Sequence, residues 1–142
     1  MKKISLSLTL ALTTFTALAL GCGGMEGKLE ELAAQGEVAM AEGQSFGSGT
    51  DQDTCLSESL NRAEACTGSV MEKGTCQGMA QVFLQGCLDM SAASEGFCEG
   101  APAQDQIMDM VNWGIAQCEA AGRTHDSCGN LMQTRAEWCN GQ

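Results

Sequence analysis

Apolar residues recur along this chain in stripes that begin and end on cysteine. Between Cys76 and Cys87 lie Met79, Ala80, Phe83 and Leu84. Between Ile107 and Cys118 lie Met110, Val111 and Ile115, and between Cys128 and Cys139 lie Leu131, Met132 and Ala136. Spacings of i, i+3 or i+4, i+7 and i+11 trace one face of a helix. At about 100° per residue, eleven residues return to within about 20° of the starting direction, so cysteines eleven apart share a face roughly 16 Å apart along the axis. In a strand the odd spacing would put them on opposite faces. The pattern predicts an all-α domain with four helices, near 54–67, 75–90, 103–121 and 126–140.

Polar and special residues punctuate these stripes. Asp53 or Thr54 is placed to cap the first helix, with Glu58 and Arg62 as a favourable i,i+4 pair inside it. Gly68 and Gly74 mark the first turn. Pro102 can open the third helix, where a missing N–H costs nothing, and Gly122 ends it. Asp126 or Ser127 can cap the fourth. Gly78 and Gly86 inside the second helix each cost about 1 kcal/mol against Ala, which cross-links can offset.

The cysteines at 55, 66, 76, 87, 98, 118, 128 and 139 step by 11, 10, 11, 11, 20, 10 and 11 residues. A shift of 52 residues brings Cys66 onto Cys118, Cys76 onto Cys128 and Cys87 onto Cys139, while Cys55 falls on Ile107. The repeat lies in spacing; residue identity outside the cysteines is poor. Eight cysteines allow 105 connectivities. Folding the first two helices back on each other sets Cys66 beside Cys76 and Cys55 beside Cys87. The second pair of helices sets Cys118 beside Cys128, which leaves Cys98 to reach Cys139 through "EGAP". The expected fold is therefore two disulfide-stapled antiparallel helical hairpins. The pattern resembles the coiled-coil–helix–coiled-coil–helix, or twin Cx9C, proteins. Here each within-helix gap is ten residues ("CLSESLNRAEAC", "CQGMAQVFLQGC", "CGNLMQTRAEWC"), and the resemblance implies the hairpin geometry by convergence and no function.

A ninth cysteine stands apart. Lys2 and Lys3 precede an uncharged apolar run over residues 4–20, the form of an export signal. The run is interrupted by Ser and Thr and is short for a spanning helix, which needs roughly 20 apolar residues. Ala19-Leu20-Gly21-Cys22 resembles the lipobox of bacterial lipoproteins, with Ala19 where Leu is usual. The resemblance implies cleavage before Cys22 and acylation of that cysteine. Gly23 follows in place of Asp, which points to the outer membrane. The chain then divides into a signal peptide over 1–21, a lipid-anchored flexible linker over 22–52 and a disulfide-rich helical domain over 53–142. Six acids and many glycines make up the linker, with "KLEELAA" bracketed by Gly27 and Gly36 and "GQSFGSGTDQD" reading as a spacer.

Charge narrows the partners. After cleavage, five basic residues (Lys28, Arg62, Lys73, Arg123 and Arg135) face eighteen acids, a net charge of about −13. That opposes nucleic acid and anionic membranes, which attract positive charge. Tyr is absent and Phe and Trp are few, so the core is thin for the length. Exported chains of this kind rely on disulfides.

Catalytic and metal chemistry find little support in the sequence. His125 is the only histidine, in "THDSC", and adjacency in sequence is not triad geometry. Zinc sites carry closely spaced cysteine pairs that this chain lacks. The alternative to stapling is a Cu(I)-binding or storage protein using Cys and Met, including Met79, Met90, Met108 and Met110, because Cu(I) favours soft sulfur ligands. Arg62 and Arg135 each lie seven after a cysteine; their stems are expected to cover the core edge with their heads in water. With Trp113 and Trp138 they are candidate partner contacts. The reading is a non-enzymatic structural or protein-binding module. It requires no cofactor and meets the membrane through Cys22; its partner is an unidentified envelope protein.

Overall fold

A computed structural model describes residues 23–142. The leader and Cys22, with the cleavage and acylation expected there, lie outside the described residues. The described residues form five helices and no strand: α1 (Gly23–Gly47), α2 (Gln52–Glu64), α3 (Val70–Met90), α4 (Ile107–Ala120) and α5 (His125–Asn140). One isolated bridge joins Asp51 to Ala92.

The largest departure from the sequence reading is α1, which occupies most of the segment expected to be a flexible linker. Its docking face consists of Ala39, Gly43 and Gly47, four residues apart and all buried. These small residues let the α1 backbone approach α3 closely. A Cβ on Gly43 would collide with the Phe83 carbonyl, and one on Gly47 with the Cys87 carbonyl. Gly86 on α3 makes the reciprocal approach to Met40. Phe46 adds a ring contact to Phe83, with centroids 5.7 Å apart. Packing of this kind offsets the cost of helical glycine and carries the helix through Gly27 and Gly36. Because Gly43 meets Phe83, Gly47 meets Cys87, and Glu31 and Leu32 share a groove with Met71, α1 and α3 run parallel, with α2 returning between their ends.

Caps fix where α2 and α3 start. Asp51, in place of the expected Asp53 or Thr54, accepts the Thr54 N–H at 2.8 Å and caps α2. Helix α3 starts at Val70 because Ser69 and Glu72 form a reciprocal capping box, so Gly74 lies inside the helix and not in the turn. The turn itself uses Gly68, whose φ of 105° favours glycine. Helix α4 begins at Ile107, after Pro102, which stays in the connection over 91–106. That connection is tied to the start of α2: the Ser94 N–H donates to Gln52 Oε1 at 3.0 Å and the Asp53 N–H donates to Ser94 Oγ at 3.1 Å. Helix α5 is preceded by Thr124, with no side-chain cap from Asp126 or Ser127.

Four disulfides close the structure: Cys55–Cys87, Cys66–Cys76, Cys98–Cys139 and Cys118–Cys128, with Cα separations of 5.5–5.8 Å. Around them Phe83, Leu84, Leu88, Leu131 and Met132 form one buried cluster shared by α3 and α5. Arg123 pairs with Glu64, and Gln81 Nε2 donates to the Asn130 carbonyl, so the α4–α5 turn lies at the same end of the molecule as the α2–α3 turn.

Candidate functional site

The two arginines have opposite environments. Arg62 follows the expectation of a covered stem and a wet head: its Nε donates to Glu58 at 3.0 Å, its Nη1 donates to Glu42 at 2.9 Å, and its guanidinium lies 3.7 Å from the Phe83 ring centroid. Arg135 does not. It is only 9 % exposed, and its head points inward. Nε and Nη2 both donate to the Phe97 carbonyl, the former at 2.8 Å, and Nη1 donates to Gln117 Oε1 at 3.1 Å. The Phe97 and Trp113 rings flank the guanidinium at 4.6 and 5.2 Å. Burial pushes its pKa below the ordinary arginine value, and the charge of Asp53 partly opposes that shift. This is an enclosed cation held by neutral acceptors and aromatic faces. It organises the 91–106 connection and offers no open anion site.

Trp113 and Trp138 are partly buried against the core. Trp138 meets Phe97 edge-on, with centroids 6.0 Å apart and an interplanar angle of 79°. The "THDSC" segment does not assemble a nucleophile and base. Ser127 Oγ donates to the Thr124 carbonyl at 3.3 Å and also lies 3.2 Å from Thr124 Oγ1. All eight domain cysteines are in bridges, and among the described residues no three His, Cys, Asp or Glu side chains converge as a metal site.

The surface the sequence reading missed lies on α4. Its stripe was expected to be core. In the structure α4 packs on α5 alone among the helices and buries only Gly114 and Cys118. Ile107 is 72 % exposed, Met108 70 %, Val111 45 % and Ile115 37 %. One partner covers only a narrow strip of a helix, and the rest of a broad apolar stripe remains in water. Beside it a groove of about 380 Å³ runs between α4 and α5, lined by Ile107, Met110, Val111, His125 and Gln133. Periodicity cannot separate an apolar stripe that is buried from one that waits for a partner. A second groove joins α1 to the start of α3 through Leu32 and Met71, with Leu29 and Val70 also exposed on those helices. Among the described residues no helix is long and apolar enough to cross a membrane.

Comparison of the chain with family models, curated proteins and solved structures finds no match.

Proposed function

We propose that this protein is exported, anchored to the bacterial outer membrane by acylation of Cys22, and acts without catalysis as a binding module for another envelope protein. Its domain is two stapled hairpins, α2–α3 and α4–α5, with α1 laid along the first. The observation that carries the binding role is the exposed α4 stripe of Ile107, Met108, Val111 and Ile115 beside its groove. A contiguous apolar patch on a strongly acidic domain is costly to leave in water and characteristic of an interaction surface. The four bridges leave the scaffold rigid and its sulfurs committed, which opposes thiolate ligation of Cu(I).

A photo-crosslinking residue at Ile115 or Met108 in intact envelopes tests this. It should give a discrete protein adduct, abolished by Val111→Asp. Absence of an adduct at both positions sinks the binding role. Thiol titration of non-reduced mature protein should find the eight domain cysteines blocked; titratable thiols with bound copper would favour the metal-binding alternative.

A further inference from the structure

We infer that the end of the domain formed by the start of α1 and the α2–α3 turn docks on the phospholipid surface that holds Cys22, so that the module leans on the bilayer through Val70 and Met71. This rests on the proposed acylation of Cys22. The first turn of α3 carries the two most exposed large apolar side chains of the domain, Val70 at 92 % and Met71 at 81 %. They follow the Ser69 cap and stand at the open end of α3. On α1, Leu32, 39 % exposed, lines one groove with Met71 and Lys28, and Leu29, one turn earlier on α1, is 61 % exposed.

The position of this patch follows from the parallel run of α1 and α3. The described chain begins at Gly23, one residue after the anchor, so both the anchor and the patch belong to the same end of the molecule. The approaches of Gly43 to Phe83 and of Gly47 to Cys87 put Met71 level with Glu31 on α1, with which it lines one groove. Gly23, the first described residue and the one bonded to Cys22, is therefore about eight residues, or roughly 12 Å, beyond Met71 along the axis. Helix axes pack about 8–10 Å apart, so a lean of about 55° toward α3 brings Val70 and Met71 to the depth of the start of α1. Apolar side chains at that depth enter the boundary between headgroups and acyl chains, where a helix face typically sinks about 5–10 Å. Glu31 and Glu72 line the groove against the single cation Lys28, so the local charge does not favour anionic headgroups and the contact is apolar.

The test uses the full mature acylated chain reconstituted in phosphatidylcholine vesicles with brominated acyl chains. Met71→Trp places a reporter on the patch, and Ile107→Trp places one at the opposite end; Trp113 and Trp138 supply the same background in both. Docking predicts that the emission added at position 71 falls at least about twofold in brominated vesicles while that added at 107 is unchanged, as expected for a side chain at the acyl boundary. Val70→Glu in the Met71→Trp background should restore the emission, with the helical circular dichroism preserved. A chain that floats with vesicles and leaves position 71 unquenched overturns the docking alone. A chain whose N-terminal peptide carries no acyl group by mass spectrometry, and which does not float, overturns the anchor and the docking together.

Discussion

Arg135 on α5 holds the backbone carbonyl of Phe97, 38 positions earlier, through two donors of one guanidinium. That carbonyl lies in the 91–106 connection, which has no helix of its own. With Cys98–Cys139 one residue further on, the arginine fixes the crossing between the α2–α3 and α4–α5 pairs.

Removing this anchor is expected to be costly. Arg135→Ala strands the Phe97 carbonyl and Gln117 and should destabilise by about 2–4 kcal/mol in denaturant unfolding. Arg135→Lys keeps the charge but lacks the planar fork, and should recover only part of that loss.

The contact of α1 with α3 predicts opposite effects from one substitution. Gly43→Ala meets the Phe83 carbonyl and should destabilise by about 1–3 kcal/mol, with faster hydrogen exchange across residues 36–47. Gly27→Ala faces open space and should stabilise by up to about 1 kcal/mol. A free linker would show neither effect.

The bridges differ in the loops they close. Cys55–Cys87 spans 32 positions and Cys66–Cys76 spans 10. On loop entropy alone, replacing the first pair by alanine should cost about 1 kcal/mol more than replacing the second. Burial adds to that difference, since Cys55 and Cys87 are fully buried while Cys76 is exposed. Paired double variants compared by thermal unfolding measure it.

Acid should loosen the helix starts of the first hairpin. Hydrogen bonds from Ser69 hold the Glu72 carboxyl below its ordinary pKa, and those from Thr54 do the same for Asp51. A carboxyl whose folded pKa is lowered stabilises the fold above its unfolded value and loses that contribution as pH falls through the folded one. The melting temperature should therefore drop as pH falls below the ordinary carboxylate values of 3.8 and 4.5. The Asp51→Asn, Glu72→Gln variant keeps cap-forming side chains that do not titrate, and its melting temperature should fall less over the same range.

Helical periodicity was legible in the chain because an eleven-residue cysteine step has only one regular solution, and Met79, Ala80, Phe83 and Leu84 repeat the same face. Local chemistry was legible where partners sit within one turn, as with Glu58 and Arg62. Three things were decided only by tertiary structure. Helix α1 looked like a spacer because glycine reads as flexibility from sequence, whereas Ala39, Gly43 and Gly47 are small so that two backbones can meet. Arg135 looked like a surface residue because its acceptors lie 38 and 18 positions away. The α4 stripe looked like core because periodicity reports that a face is apolar and not whether a neighbour covers it. Each of these depends on which distant segment arrives beside a residue, and a local pattern carries the preference of a face but not the identity of what packs against it.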